Sequence, residues 1–453
     1  MTRREAFAAP FLAAPLLAAP LLAPSLLAKD TRPNFLFILI DDLRYNASAY
    51  AGHPFVKTPN IDRIAREGVS FENAFVTTPL CSPSRASFLT GRYVRSHKVL
   101  DNTDHNELSH QLITWPRLLH DAGYETGYAG KWHMGTDATP RPGFDRWVSF
   151  KGQGVYNDPL LNIDGVETKQ SGYITDILTG HTVDFLKKPR TKPFVMYLAH
   201  KAVHGPFTPA ERHKDLFASE TIARTPNAQD NWDGKPALQR DVNGHPPVKG
   251  VGSSDDLIKN QLRCLTAIDE GVGKILKALE ETGQIDNTFI VFTSDNGYFW
   301  GEHHLSDKRW AYEESLRIPM VMRYPKLIKA GSKVSQLVMN VDMAPTMLAL
   351  GGGKPPAELQ GHSVLPLFKG PVKNWRTSFL SEYFMEEGTP RVPSWQAVRD
   401  GEWKYIHYPK VDGADELYDI KKDPYEMQNM VHDAPAVLSE KKQQLDKYNE
   451  QIK

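Results

Sequence analysis

The chain has little cysteine, with only Cys81 and Cys264 among its 453 residues. Two cysteines can form at most one bridge, so the sequence excludes the disulfide framework that holds many small secreted domains together. This count neither requires nor excludes export. Cys264 lies on the apolar stripe of a predicted helix, which favours a structural role, whereas Cys81 lies among serines close to Pro83 and Arg85.

The chain also has no net charge, because it contains 54 Lys and Arg residues and 54 Asp and Glu residues. A strong positive excess is typical of proteins that bind nucleic acid or adhere to an anionic membrane surface. We therefore expect neither partner. A local basic pocket for a small anion is still compatible with this composition. No internal repeat is found that would indicate a solenoid.

Long apolar runs free of proline are absent at the N-terminus. The run at 6–28 contains four prolines, and proline at that density disfavours a stable membrane-spanning helix. Because Arg3 and Arg4 precede it, the run is typical of a signal peptide, so residues 1–28 are predicted to direct export to the periplasm or the medium. The paired arginines resemble a twin-arginine signal, but Phe7 comes one place late for it. The export route therefore stays open.

The rest of the chain has the pattern of a large α/β domain followed by a smaller one. The uninterrupted apolar run at 34–40 predicts a strand buried on both faces of a parallel sheet. An apolar stripe at helical spacing covers 255–283. Short alternating strands and a final helix at 434–451 follow later. We predict a main domain over 29–371 and a C-terminal subdomain over 372–453, an antiparallel sheet with one helix.

Charged and polar side chains follow four predicted strands at the point where each one ends. The strands are predicted at 34–40, 124–129, 193–199 and 288–293, and they are followed by Asp41 and Asp42, Lys131 and His133, His200 and His204, and Asp295 and Asn296. Ligands of open α/β sheets bind outside the carboxyl ends of the strands. A lone Asp-Asp pair is most simply a solvated turn. Four such strand ends together indicate a functional site.

The stretch at 81–92 predicts a short helix. Pro83 suits a first turn, the apolar residues that follow have helical spacing, and Gly91 can end the helix. Cys81 would then lie near a helix N-terminus, where amide N–H groups and the helix dipole favour negative charge. A buried structural cysteine is the simpler alternative, because free cysteine is among the most buried residue types.

This stretch resembles the first signature of the sulfatase family, C-x-P-S-R followed by L-T-G-R, and every fixed position is present. Residues 123–133 match the second signature, G-Y-x-T-x-x-x-G-K-x-H, and Asp295, Asn296 and Lys308 match further family positions. The resemblance covers nearly the whole chain after residue 28. It implies the alkaline-phosphatase-like fold, a large and mostly parallel sheet sandwiched by helices, and it implies hydrolysis of sulfuric esters.

The resemblance implies one divalent cation, bound by Asp41, Asp42, Asp295, the side-chain oxygen of Asn296, and residue 81. The four aspartate and asparagine ligands offer oxygen, which suits a hard cation such as Ca²⁺. The resemblance also implies that a maturation enzyme oxidises Cys81 to formylglycine. The hydrate of that aldehyde, and not the thiol, is the implied nucleophile.

The other signature residues have implied roles around a sulfate group. Arg85 would stabilise the hydrated aldehyde, and Lys131 and Lys308 would bind sulfate oxygens and offset charge in the transition state. His133 would orient or deprotonate the hydrate, and His204 would protonate the departing alcohol. The implied reaction transfers the sulfuryl group to the hydrate and then eliminates sulfate. Taken singly, Lys308 is compatible with a surface lysine and His204 with a loop cap, but the full set favours catalysis.

Two other functions stay open. One is a phosphodiesterase or phosphonate hydrolase of the related fold, many of which bind a second metal through extra His and Asp ligands. Here lysines occupy that place, which favours a sulfatase with one metal, although related phosphonate hydrolases can carry the cysteine motif. The other is a glycan-binding relative without activity, against which the complete catalytic set argues.

The expected substrate is a sulfated glycan or a small sulfate ester. Segments 95–102, 172–176 and 301–308 are similar to sulfatases of 6-sulfated N-acetylglucosamine, while arylsulfatases and algal-polysaccharide sulfatases share parts of the pattern. The polar residues at 220–255 predict a surface insertion that shapes the substrate mouth. The candidate substrate-binding residues are Asn102, His303 and Arg391.

Overall fold

The computed structural model describes residues 1–2, 31–103, 105–247, 250 and 252–452. The predicted signal peptide at 1–28 lies outside the described residues except for its first two positions, so it stays a prediction. Within the described ranges, no helix combines the length and the apolar character needed to cross a bilayer.

Strands and helices alternate through the main part of the chain, and four consecutive strands with a helix end it. The strands are β1 (Asn34–Ile40), β2 (Val69–Phe71), β3 (Ala74–Phe75), β4 (Glu125–Gly130), β5 (Arg146–Ser149), β6 (Leu160–Ile163), β7 (Val166–Lys169), β8 (Phe194–Ala199), β9 (Thr288–Ser294), β10 (Phe299–Trp300), β11 (Ser306–Asp307), β12 (Met320–Arg323), β13 (Ser332–Val334), β14 (Val338–Met339), β15 (Ser378–Tyr383), β16 (Trp395–Asp400), β17 (Trp403–His407) and β18 (Glu416–Asp419). The helices are α1 (Pro59–Arg66), α2 (Cys81–Thr90), α3 (Val94–His97), α4 (Asn106–Gln111), α5 (Trp115–Asp121), α6 (Ile174–Lys187), α7 (Pro236–Gln239), α8 (Asp255–Glu281), α9 (Glu313–Leu316), α10 (Met343–Gly351) and α11 (Pro435–Gln451).

One large sheet forms the centre of the molecule, with the strand order β13-β2-β12-β9-β1-β8-β4-β5-β6-β7. Its middle strands β9, β1, β8, β4 and β5 run parallel, and antiparallel partners flank them on both sides. β1 pairs with β9 over its whole length, from Asn34 opposite Thr288 to Ile40 opposite Ser294. The predicted large and mostly parallel sheet is confirmed, and each of the four predicted strands is present within one residue of its expected ends.

Helices cover both faces of this sheet. All seven residues of β1 are buried. Phe35, Phe37 and Leu39 pack with α2, α5 and α10 on one face. Leu36, Ile38 and Ile40 pack with α1, α6 and α8 on the other. Because successive side chains of a strand point to opposite faces, this double burial accounts for the absence of polar residues from the strand.

The C-terminal subdomain is an antiparallel sheet in the order β15-β16-β17-β18, with α11 against it. The predicted small sheet with one helix is confirmed, although the sequence pattern did not identify β18 as a strand. Its apolar side chains share one cluster with the main domain, in which Phe379 and Trp395 join Phe75 and Tyr312. The boundary at residue 372 stays a prediction, because the two parts have a common core.

Parts of the described segment at 220–255 are buried, unlike the expected surface loop, whereas residues 243–246 are exposed as expected. Trp232 is buried in the apolar cluster shared with the C-terminal sheet. Asp230 and Lys235 are buried too, with 2.9 Å between Asp230 Oδ2 and Lys235 Nζ. A polar composition suggests solvation, but these groups neutralise one another inside the protein. Such pairing is set by the tertiary fold and leaves no periodic pattern in the sequence.

Candidate active site

The carboxyl ends of the adjacent parallel strands β9, β1, β8 and β4 meet at one edge of the sheet. Carboxylate oxygens of Asp41, Asp42 and Asp295 lie there within 4.8 Å of one another. All three side chains are buried, as are those of Lys131 and Asn296. The structure therefore brings five of the strand-end residues that the sequence singled out into one buried cluster, while His200 is buried without a hydrogen-bond partner among the described residues.

Cys81 is the first residue of α2 and is fully buried. Its Sγ lies 3.5 Å from Asp41 Oδ1 and 3.2 Å from Lys308 Nζ. The helix begins at Cys81 itself, earlier than the apolar spacing indicated, and it ends as predicted at Gly91, whose φ is +67°. Every side chain of α2 is buried, so the helix holds Cys81 firmly against the carboxylate cluster.

The thiol of Cys81 is a poor nucleophile where it stands. Burial raises its pKa to about 12, even though Lys131 and Lys308 act in the opposite direction. A thiol with this pKa is protonated at neutral pH, and the thiolate is the reactive form of cysteine. The site therefore does not activate the cysteine as such.

Three cationic side chains surround the three aspartates. Lys131 Nζ is paired with Asp41, and Lys308 Nζ with Asp42. Arg85 Nε donates to Asp295 Oδ2 over 2.9 Å, and its Nη2 lies 3.6 Å from Asp41 Oδ1. Burial raises the pKa of Asp41, but Lys131, His204 and Arg85 outweigh this effect and hold that pKa well below its usual range. Asp41 is thus ionised despite complete burial.

Asn296 and Asp295 show that the cluster fits a cation. The Nδ2 of Asn296 donates to Asp42 Oδ1 over 2.7 Å, while its Oδ1 is buried without a hydrogen-bond partner among the described residues. Burial and the charge of Asp41 raise the pKa of Asp295 to about 7. A divalent cation would coordinate the free amide oxygen and favour an ionised Asp295. Three carboxylates and one amide oxygen are donors that suit Ca²⁺.

Two histidines lie beside the cluster. His204 Nδ1 is 3.0 Å from the carbonyl oxygen of Gly205, to which it can donate, and its Nε2 is 3.7 Å from Asp42 Oδ2. His133 is buried with φ of +59°, and its Nδ1 has no partner in the described part of the chain. Burial, and next the charge of Lys131, lower the pKa of His204 to about 4 and that of His133 well below its usual range. Both rings are therefore neutral at pH 7 in the unliganded site.

The three candidate substrate-binding residues have different surroundings. Asn102 Oδ1 accepts a hydrogen bond from the amide of Ser82, 3.0 Å away, so it lies next to Cys81. Arg391 is exposed and lines a cavity of about 320 Å³ to which Lys308 also contributes. His303 is fully buried, paired with Asp230, and its ring centroid is 4.3 Å from that of Tyr312. His303 is thus in the polar interior of the insertion and not on an open surface.

Sequence reasoning missed two residues near the site. Lys201 is buried, and its Nζ donates to the carbonyl oxygen of Gly205 over 2.9 Å, which orders the loop that carries His204. Its place between His200 and His204, directly after β8, was an available signal. Arg240 lines the same cavity as Arg391, but no pattern in its polar segment marked it.

Comparisons with known proteins agree with this geometry. The sulfatase family model matches residues 33–353, and the model of the C-terminal region of N-sulphoglucosamine sulphohydrolase matches residues 301–451. An N-acetylglucosamine-6-O-sulfatase from Bacteroides thetaiotaomicron is 33% identical, over 90% of this chain and 84% of its own. The N-acetylglucosamine-6-sulfatase of Homo sapiens is 32% identical, over 82% of this chain and 70% of its own.

A solved structure has the same fold. It is that of BT4656 in complex with its substrate D-glucosamine-2-N,6-O-disulfate, and it matches with a TM-score of 0.84 and 33% identity. The match covers 93% of this chain and 98% of the other. With the family model spanning most of the chain and the strand-end residues gathered in one buried cluster, this protein belongs to the sulfatase family and is a sulfuric ester hydrolase.

Proposed function

We propose that this enzyme removes the 6-O-sulfate from N-acetylglucosamine in sulfated glycans, with one Ca²⁺ ion and a formylglycine derived from Cys81. The main support for this mechanism is the position of Cys81 Sγ inside the buried carboxylate cluster. It lies 3.2 Å from Lys308 Nζ and 3.5 Å from Asp41 Oδ1. The substrate class is supported by the bacterial and human relatives, both of which are named as 6-sulfatases of N-acetylglucosamine.

Asp41, Asp42, Asp295 and the Oδ1 of Asn296 would hold the cation, beside residue 81. When present, the cation would polarise a sulfate oxygen, and the hydrated formylglycine would supply the nucleophilic oxygen. Arg85 bridges Asp295 and the carbonyl oxygen of Lys131, so its guanidinium is fixed beside residue 81. That position suits it to stabilise negative charge on the hydrate.

Lys131 and Lys308 would bind the sulfate group from two sides. Each is buried and paired with one carboxylate of the cluster, which keeps both ammonium groups oriented toward residue 81 and its ligands. Fixed cations in a site that excludes water stabilise charge in a transition state more strongly than solvated ones. Lysines in this place also favour sulfate ester hydrolysis over two-metal phosphodiester hydrolysis, which needs further His and Asp ligands.

His204 is the proposed general acid. Its Nδ1 is engaged with the carbonyl oxygen of Gly205, which leaves Nε2 for the leaving alcohol. The pKa of about 4 describes the site without an anion, and a bound sulfate beside the ring favours the protonated form. His133 would orient or deprotonate the hydrate, since its Nδ1 is free among the described residues.

We further propose that the protein is exported through its N-terminal segment and matured by a formylglycine-generating enzyme. The support is the sequence alone, namely the charged start and apolar run at 1–28 and the intact C-x-P-S-R signature at Cys81. The domain boundary near residue 372 belongs to the same set of proposals.

A panel of small substrates tests the function. The matured enzyme is assayed for sulfate release from N-acetylglucosamine carrying sulfate at position 6, 4 or 3, from 4-nitrophenyl sulfate, and for hydrolysis of a phenylphosphonate ester. We expect kcat/KM for the 6-sulfate to exceed the other values by roughly tenfold or more, because only one position can put its sulfur beside residue 81. A preference for another position, or for the phosphonate, would refute the proposal.

A further inference from the structure

The cavity beside Lys308 has more positive charge than nearby carboxylates neutralise. Among the residues that the structure describes, four cationic side chains and one aspartate line it, namely Arg240, Lys308, Arg309, Arg391 and Asp307. Lys308 is paired with Asp42. Arg309 is paired with Asp307 and with Glu386, whose Oε2 lies 2.6 Å from its Nε. Two guanidinium groups, those of Arg240 and Arg391, are left without an ion pair among the described residues.

These two arginines lie together. Arg240 Nη2 donates to the carbonyl oxygen of Arg391 over 2.8 Å, and Arg391 Nη2 donates to the carbonyl oxygens of His245 and Pro246 over 3.1 and 3.0 Å. The Nε of Arg240 is buried without a hydrogen-bond partner in the described part of the chain. Burial, and next the like charge of nearby Arg391, lower the pKa of Arg240.

Three largely buried arginines elsewhere in this protein have carboxylate partners. Arg44 is paired with Glu302, Arg376 with Asp342, and Arg399 with Glu313. Carbonyl oxygens accept hydrogen bonds but do not neutralise a guanidinium, so the pair in the cavity lacks what these other arginines have. An anion from outside would complete the site, and the planar donors of arginine match the oxygens of a sulfate or a carboxylate.

We propose that Arg240 and Arg391 bind a second anionic group of the substrate, while Lys308 binds the sulfate that is removed. The inference rests on the proposed function and narrows the substrate to glycans that carry more than one anion within a sugar or two. The volume of about 320 Å³ is within the range of roughly 300–1,000 Å³ for small-molecule sites. The second anion is either a sulfate on the same sugar or a carboxylate on its neighbour.

Four substrates and three variants test this. The substrates are 6-sulfated N-acetylglucosamine with one anion, glucosamine with 2-N and 6-O sulfates, 6-sulfated N-acetylglucosamine linked to a uronate, and 4-nitrophenyl sulfate. The variants are Arg240→Gln, Arg391→Gln and, as a control, Arg66→Gln, an exposed arginine at the end of α1.

We expect Arg240→Gln and Arg391→Gln each to lower kcat/KM for a two-anion substrate roughly tenfold, mainly through KM, because a charge-assisted hydrogen bond is lost. The decrease in kcat/KM is expected to be much smaller for the two substrates with one anion, 6-sulfated N-acetylglucosamine and 4-nitrophenyl sulfate. Arg66→Gln should have the kcat/KM of the wild type for all four substrates. The two-anion substrate with the larger decrease in kcat/KM identifies the source of the second anion. That source is a sulfate on the same sugar if the 2-N-sulfated sugar is affected more, and a neighbouring carboxylate if the uronate disaccharide is. Equal losses on all four substrates, or no loss on any, would overturn the inference.

A binding measurement separates this inference from the proposed function. In a Cys81→Ala background, which has no side-chain group that can be oxidised to the aldehyde by the same chemistry, calorimetry gives the Kd of the singly and doubly sulfated glucosamines without turnover. The inference requires that Arg240→Gln and Arg391→Gln weaken binding of the doubly sulfated sugar selectively, and an unchanged Kd ratio overturns it. If instead the wild type fails to prefer 6-O-sulfated sugars while this selective weakening persists, only the proposed function fails.

Discussion

Cys81 combines complete burial with a position at the start of α2, in contact with Lys308 and close to Asp41. Burial raises the pKa of its thiol to about 12, so the side chain as encoded is neither a strong nucleophile nor a strong metal ligand at neutral pH. Both facts are consistent with the proposal that this residue becomes functional only after oxidation to formylglycine.

The first prediction concerns this residue. In a host with the maturation enzyme, the peptide that contains Cys81 should lose roughly 18 Da, because an aldehyde replaces the thiol. Cys81→Ala should abolish turnover with little change in thermal unfolding, since the side chain is small and buried. Peptide mass spectrometry and a sulfate-release assay measure the two effects. A fully active preparation with unmodified cysteine would contradict the assignment.

Asn296 offers the second test at this scale. Asn296→Ala removes the buried amide oxygen that has no partner among the described residues and leaves the ion pairs of the three aspartates in place. We expect loss of bound Ca²⁺ and of most activity. In the wild type, Ca²⁺ at a hundred times its Kd should raise the free energy of unfolding by about 2.7 kcal/mol.

Elemental analysis and thermal unfolding with and without a chelator measure these changes. Asp256→Ala, at an exposed position of α8, is the control that should keep the metal. Active wild-type protein without a divalent cation would refute the metal assignment.

At the scale of elements, the site depends on how α2 begins and ends. Cys81 starts the helix, and Gly91 ends it in the left-handed region with φ of +67°. A Cβ added at Gly91 would lie 2.7 Å from Leu359 Cδ2 and 2.9 Å from Ala344 Cβ. The close approach to α10 therefore requires glycine for two reasons, its backbone conformation and the space available.

Gly91→Ala should lower the free energy of unfolding by about 2–5 kcal/mol, the sum of a left-handed backbone and an overpacked contact. Gly52→Ala is the matched control, because Gly52 also ends a helical turn at positive φ, +92°, but nothing lies within 4 Å of the added Cβ. Its loss should be smaller, about 1 kcal/mol. Denaturant unfolding measures both, and equal losses would show that the contact with α10 has no effect.

At the scale of the whole molecule, a buried ion network joins the C-terminal sheet to the main domain. Lys404 of β17 is fully buried, and its Nζ lies 2.9 Å from Glu313 Oε1 of α9 and 2.7 Å from Glu426 Oε1. Arg399 of β16 also contacts Glu313, with 3.1 Å between Nη2 and Oε2. Because α9 follows Lys308 closely in the chain, the small sheet supports the segment that carries this lysine of the buried cluster.

Lys404→Met should lower the free energy of unfolding by about 3–5 kcal/mol, since it leaves a buried carboxylate without its cation. The two parts of the chain should still unfold in one transition, because they share an apolar core. The control is Lys151→Met, which breaks an exposed pair with Glu167 and should change stability little. Calorimetry that resolves two separate transitions in the wild type would contradict the coupling.

Local sequence determined several elements of the fold and most residues of the buried cluster. The run at 34–40 had to form a strand covered on both faces, because it has no polar side to expose to water. Gly91 ended α2 because few other residues accept its backbone conformation. The signature at Cys81 and the polar residues after four strands predicted the cluster, because parallel strands bring their carboxyl ends to one edge.

Tertiary structure alone decided the contacts between distant segments. Lys308 meets Cys81 across 227 positions of sequence, and Arg240 meets the backbone of Arg391 across 151. Neither periodicity nor composition encodes such distances, so Arg240 was missed and His303 was expected in the mouth of the site instead of beside buried Asp230. Charged residues are buried in a protein interior when a partner of opposite charge is buried beside them, and only the folded chain determines where that partner lies.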